Sequence, residues 1–165
     1  MYFVSAGHVH QFVYNNFNWT DSDLNVLSKT PATLNASVVS ALVLPGTTNL
    51  RVFYTTTSGS IELLASSNAT TWSRTDLTVK AKAPTAHEWN RTVALTTTPN
   101  HQVHVFYVTS ASNQVGHVIQ LYKPTATTWS YQDMTALTNG GIVANLADIA
   151  GISFKNTQSI YYAAP

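Results

Sequence analysis

The sequence predicts an all-β protein, and more closely a β-propeller with four-stranded antiparallel blades. Thr, Ser, Asn, Val and Tyr dominate the 165 residues, a composition that favours half-buried strands joined by polar turns. Three segments of the chain also repeat one pattern of residues with a period of 53 to 57 residues. A repeated unit of four short strands is typical of a propeller blade.

The repeat has three markers at fixed spacing. A glycine is followed after 12 or 13 residues by a tryptophan, and four residues later by an aspartate. The markers are Gly7, Trp19 and Asp23; Gly59, Trp72 and Asp76; and Gly116, Trp129 and Asp133. We interpret the tryptophans as wedges between blades and the aspartates as turn residues that accept backbone N–H bonds.

Each unit is expected to contain four strands separated by turns. In the middle unit the predicted strands cover residues 38–44, 50–56, 60–66 and 71–78. In the third unit they cover residues 92–98, 103–110, 116–122 and 128–135. The chain is expected to open on a second strand at 2–5 and to close with a first strand at 148–154 and a second at 159–164.

These strands predict a single propeller domain with two whole and two partial blades. The partial blades cover residues 1–29 and 146–165, and the whole blades cover residues 35–80 and 90–137. About three blade-equivalents are fewer than the four to eight of a closed propeller. We therefore expect the ring to be completed by further copies of the chain, or the chain to be part of a longer one.

The repeat resembles those of the fucose-specific-lectin-like propellers of bacteria and fungi. The similar segments are Gly-His-Val-His-Gln-Phe at residues 7–12, Gly-His-Val-Ile-Gln-Leu at residues 116–121, and the Trp-x-x-x-Asp-Leu/Met ending. The resemblance covers nearly all of the chain. It implies a lectin that binds fucose or a related sugar between neighbouring blades, without catalysis, cofactor or metal.

The resemblance also implies one sugar pocket. In the best-studied branch of the family, a blade carries Arg-Val-Tyr on its second strand and a glutamate eleven residues later. Arg51 and Glu62 match that spacing, and Tyr122 and Trp129 match aromatic residues of the adjoining blade. Arg51, Glu62, Tyr122 and Trp129 would then line a pocket between the middle and third blades.

The chemistry of these residue types suits a sugar. An arginine offers a planar fork of donors, a carboxylate accepts from paired hydroxyls, and an aromatic face packs on the C–H side. The match is incomplete, because His104 and Ile119 replace the Arg–Glu pair in the third blade and His10 replaces the glutamate in the first.

Plainer interpretations stay open. Arg51 and Glu62 could form a cross-strand ion pair on an exposed face, which contributes little to stability. The chain as a whole could be a structural or protein-interaction propeller whose sugar sites have decayed. It could also be the accessory propeller of a glycan-active enzyme.

Composition argues against several other classes. Only 9% of residues are charged, the net charge is +1, and no basic run exists to track phosphates, so no nucleic-acid partner is expected. The apolar runs are strand-sized, so no membrane span is expected. Five of the six histidines (His8, His10, His101, His104 and His117) could suggest a metal site, but they have no Cys or carboxylate at a recognisable metal spacing, and no catalytic motif is present. The compartment stays open, with an extracellular or cell-surface location favoured.

Overall fold

The computed structural model describes residues 1–33, 38–87, 92–96, 102–110, 115–124, 128–144, 148–154 and 157–164. The predicted blade boundaries at residues 35, 90, 146 and 165 lie outside these ranges, as does His101. The division into blades therefore stays a prediction.

Within the described residues the chain forms four antiparallel sheets, numbered here in chain order. Sheet 1 contains β1 (Tyr2–Ser5), β2 (His8–Asn15) and β3 (Asn18–Asp23). Sheet 2 contains β4 (Ser40–Val43), β5 (Leu50–Thr55), β6 (Ile61–Ser66) and β7 (Ser73–Asp76). Sheet 3 contains β8 (Val93–Thr96), β9 (Val103–Val108), β10 (Val118–Tyr122) and β11 (Ser130–Asp133). Sheet 4 contains β12 (Ile149–Phe154) and β13 (Thr157–Tyr162). The predicted all-β class is confirmed.

A short helix follows the last strand of sheets 1, 2 and 3. The helices are α1 (Leu24–Ser28), α2 (Leu77–Ala81) and α3 (Met134–Thr138). The strands predicted to run to residues 78 and 135 are therefore wrong at their ends, because the repeated aspartate starts a helix there. Asp76 accepts a hydrogen bond from the Val79 amide at 2.9 Å, as an N-cap residue does. The prediction that these aspartates accept backbone N–H bonds is confirmed.

Neighbouring sheets pack face to face. We call the face toward the preceding sheet the front face, the face toward the following sheet the rear face, and each contact between two sheets a seam. The first seam contains Val9 from sheet 1 and Leu24 from α1 against Val52, Tyr54, Leu64 and Trp72. The second contains Phe53, Ile61, Leu63 and Leu77 against Val105, Tyr107, Ile119 and Leu121. The third contains Phe106, Val108 and Val118 against Val143 and Ile149.

The three repeated tryptophans differ in burial. Trp72 is only 7% exposed in the first seam, and Trp129 packs against the second seam. Both positions fit the predicted wedge between blades. Trp19 is instead 63% exposed, because the front face of sheet 1 has no described sheet in front of it.

Two repeated hydrogen bonds tie each sheet to the next. The Gly59 carbonyl accepts from the Ala86 amide at 2.8 Å, and the Gly116 carbonyl accepts from the Val143 amide at 2.8 Å. In the other direction, the Tyr107 hydroxyl donates to the Pro84 carbonyl at 2.6 Å. Tyr54 and Tyr162 make the same bond to Pro31 and Gly141, at 3.3 and 2.9 Å. Burial raises the pKa of Tyr54 to about 12.

No helix in the described part of the chain is long and apolar enough to span a membrane.

Gly59→Ala should destabilise the fold more than Gly46→Ala. Gly59 has a φ of +80°, and an added Cβ would lie 2.8 Å from the Ala86 carbonyl oxygen. The left-handed backbone and the overpacking together predict a loss of about 2–5 kcal/mol in the free energy of unfolding.

Gly46 is the matched control, because it has a φ of +70° and open space around it. Its alanine variant should lose only about 1–2 kcal/mol. Urea unfolding of both variants measures the difference, and equal losses would show that the Gly59 contact does not hold the second seam.

Candidate functional site

The structure does not bring Arg51 and Glu62 together. Tyr54 lies opposite Glu62 in the β5–β6 register, whereas Ala65 lies opposite Arg51. Residues alternate between the two faces of a sheet, so Arg51 lies on the rear face of sheet 2 and Glu62 on the front face. An eleven-residue spacing matches the family pattern in the sequence, but the register of this hairpin separates the two side chains.

Glu62 is fully buried and is held by Arg74. The Nε and Nη2 atoms of Arg74 donate to the two carboxylate oxygens at 3.1 and 2.6 Å. The hydrogen bond to Glu62 raises the pKa of Arg74. The alternative of an exposed Arg51–Glu62 pair is therefore wrong, and the carboxylate belongs to an ion pair inside sheet 2.

Arg51 and Trp129 both border the second seam. Arg51 lies between Leu42 and Ala65 in the register of sheet 2, and Trp129 packs against the same core cluster as those two residues. Arg51 is half-buried, which lowers its pKa, and its Nη1 donates to the Leu50 carbonyl at 2.8 Å. Among the described residues, Arg51 has no carboxylate partner.

Arg51 also lines an open depression at the end of sheet 2. Its volume is about 470 Å³, and Asn49, Asn68, Trp72 and Ser73 contribute to its wall. The depression offers amide, hydroxyl and guanidinium groups, but it is shallow.

Tyr122 lies in a different place from Arg51 and Trp129. It is on the rear face of sheet 3, opposite His104 in the register, and its ring is parallel to the His104 ring at 6.4 Å. The four predicted site residues are therefore distributed over all three seams.

The third seam contains a polar cluster that was not predicted as a site from the sequence. Gln120 Nε2 lies 2.8 Å from His104 Nδ1. Since Gln120 Nε2 is a donor, we assign the His104 proton to Nε2. Burial lowers the pKa of His104, which favours the neutral imidazole.

Two donors in this seam have no partner. Within the described residues, His104 Nε2 and Gln158 Nε2 are buried and make no hydrogen bond. Leaving a buried donor unpaired costs about 1–3 kcal/mol, so such atoms are uncommon in folded proteins. Both side chains point into the seam between sheets 3 and 4.

Gln120 and Gln158 line a cavity of about 230 Å³ in the third seam. Phe106, Met134, Ile160 and Tyr162 supply most of its apolar wall. In the second seam, the matching positions hold Leu63 and Val103, which pack together in the core. The glutamines therefore replace packed side chains with a cavity and polar groups.

The first seam shows the same substitution. Gln11 occupies the position of Gln120 in the repeat, four residues after the glycine. Gln11 Oε1 and Trp72 Nε1 are buried and, in the described part of the chain, have no partner. The signal that identifies both polar seams is thus glutamine at a repeat position where the middle unit has Leu63.

The histidines do not form a metal site within the described residues, where no group of three or more potential ligands occurs. His8 and His117 instead lie 2.6 and 2.7 Å from Asp23 and Asp133, the N-cap residues of α1 and α3.

The sequence matches no protein-family model and no curated protein. The fold, by contrast, is similar to that of SapL1 lectin, solved in complex with α-methyl fucoside, with a TM-score of 0.65. The two chains are 16% identical, and the match covers 99% of this chain and 52% of the lectin.

A mutant of the Aleuria aurantia lectin in complex with α-methyl-L-fucoside is also similar, with a TM-score of 0.56 and 15% identity. That match covers 95% of this chain and 45% of the lectin, so the chain spans about half the length of both neighbours. The chain therefore has the β-propeller fold of these fucose-binding lectins, as the repeat predicted.

Proposed function

We propose that the chain is a carbohydrate-binding protein of lectin type, which binds fucose or a closely related neutral sugar in the third seam. The observation that carries the proposal is a cavity lined by Gln120 and Gln158. Among the described residues, the buried Nε2 of Gln158 has no partner, and neither does the buried Nε2 of His104, which contacts Gln120 through its Nδ1. The fold shared with two lectins solved with fucosides supports it.

The chemistry of the cavity suits an uncharged, hydroxylated ligand. Hydroxyl oxygens of a sugar accept hydrogen bonds from an imidazole N–H and an amide N–H. The apolar side chains Phe106, Ile160 and Tyr162 can contact the C–H face of the ring. None of the described residues in the cavity wall carries a charged side chain, so an anionic sugar would gain no ion pair with them.

The first seam is proposed as a second site of the same kind. Gln11 Oε1 offers an acceptor, and Trp72 Nε1 offers a donor. Arg51 and Trp129 on the second seam are proposed as a weaker, more open contact, since Leu63 fills the space that the glutamines leave in the other two seams. Several weak sites on one molecule would raise avidity for a surface with many glycans.

Isothermal titration calorimetry with α-methyl-L-fucoside tests the main site. Gln158→Leu removes one donor while keeping a side chain of similar size, and it should weaken binding roughly five- to tenfold.

Thr157→Val is the matched control, because it removes a hydroxyl from the neighbouring, exposed position on the opposite face of β13. Its affinity should stay within twofold of the parent. Equal effects of both variants on affinity would show that the fucoside does not bind in the third seam. If the folded parent protein does not bind the fucoside at all, the alternative of a structural or protein-interaction propeller is favoured.

The Glu62–Arg74 ion pair should affect stability and not sugar binding. Arg74→Met leaves the Glu62 carboxylate buried and unpaired, so the free energy of unfolding should fall by about 2–4 kcal/mol. The double variant Glu62→Leu and Arg74→Met should recover most of that loss, because no buried charge remains.

Chemical unfolding and the fucoside titration on the same samples measure both effects. A large loss of affinity for the fucoside in the folded double variant would show that Glu62 or Arg74 takes part in sugar binding.

A further inference from the structure

The front face of sheet 1 is open, although the matching faces of sheets 2 and 3 are buried. Phe3 matches Tyr54 and Tyr107 in the register, and Phe12 matches Leu64 and Leu121. All four of the matching side chains are fully buried. Phe3 and Phe12 are only partly buried, and Trp19 is 63% exposed where Trp72 is 7% exposed.

The aromatic side chains on this face pack against one another. The rings of Phe3 and Phe12 lie 4.7 Å apart, and the rings of Phe12 and Trp19 lie 6.3 Å apart. His10 stacks on Phe3 at 5.0 Å and lies 3.1 Å from Asp21, at the position where sheet 2 has its Glu62–Arg74 pair. The face thus has the side chains of a seam without the opposite sheet.

The rear face of sheet 4 is open in the same way. Ile152 matches Leu42 and Leu95, and Tyr161 matches Phe53 and Phe106. Phe53 and Phe106 are 0% and 2% exposed, because they pack against the front faces of the following sheets. Ile152 is 56% exposed and Tyr161 is 62% exposed.

We propose that these two faces form a fourth seam between two copies of the chain, with the rear face of sheet 4 in one copy packed against the front face of sheet 1 in the other. The occupant follows from the repeat, since the front faces of sheets 2, 3 and 4 are each covered by the rear face of the preceding sheet. The neighbouring SapL1 chain, of which this chain covers 52%, has the length of about two copies.

The rear face of sheet 4 is also electrostatically compatible with the front face of sheet 1. Its strands carry no charged side chain in the described residues, and the Asp21 carboxylate on the front face has His10 Nδ1 as a hydrogen-bond partner at 3.1 Å. A head-to-tail contact of this kind either closes into a ring or continues into a larger assembly. The proposal does not depend on sugar binding.

Light scattering on the purified 165-residue chain, without ligand, tests the association. The expected mass is twice that of one chain. A monomer at all concentrations up to the limit of solubility would overturn the proposal.

Two exposed positions test which faces are used. Trp19→Asp on the front face and Tyr161→Asp on the rear face should each yield monomers, because each places a carboxylate in both seams of the dimer. Val79→Asp is the matched control, since Val79 is 70% exposed on α2 and lies on neither face; this variant should remain a dimer.

Mixing the two aspartate variants distinguishes the proposed seam from a front-to-front dimer. A mixed pair retains one seam with a normal rear face and a normal front face, so dimers should reappear, with weaker affinity than the parent. Misfolded variants would not recover on mixing. Dimers of Tyr161→Asp alone, or no recovery in the mixture, would overturn the head-to-tail arrangement.

Discussion

The fold depends on the packing of one sheet face against the next. A sheet of four short strands has two faces to cover, and in this chain each rear face covers the following front face. Seams of branched and aromatic side chains bury the core, and the carbonyls of Gly59 and Gly116 bind the segments that lead into the next sheet. The tyrosine hydroxyls bind back to the preceding linkers. Stability therefore belongs to the seams more than to the individual sheets.

The seams also differ in polarity, although the repeat that forms them is the same. Leu63 and Val103 fill the second seam, whereas Gln120 and Gln158 leave the third seam with a cavity and unpaired donors. Such a substitution reduces stability locally, because buried polar atoms lose their water. The packed second seam beside it holds sheet 3 in place, so the proposed site would be preorganised for a hydroxylated ligand.

The repeat allowed the fold to be predicted from the sequence, but the site was predicted less well. Gly59, Trp72 and Asp76 belong to a repeat with nearly fixed spacing, because each occupies a position with one structural role, and the repeated residue types can be recognised in the sequence. The Arg51–Glu62 spacing was also visible, yet the hairpin register that places these side chains on opposite faces is a property of the folded pair of strands. Likewise, Asp76 was interpreted as a turn residue, although aspartate is also a preferred N-cap, so the helix that begins at Leu77 was not predicted.

The central claim is that a neutral sugar binds between sheets 3 and 4, and NMR titration tests it most directly. In a ¹⁵N-labelled sample, addition of α-methyl-L-fucoside should shift the side-chain amide signals of Gln120 and Gln158 and the imidazole signals of His104. The guanidinium signal of Arg74 should stay unchanged. If the glutamine and His104 signals stay fixed at saturating fucoside, or if shifts occur only around Arg51, the third seam is not the sugar site.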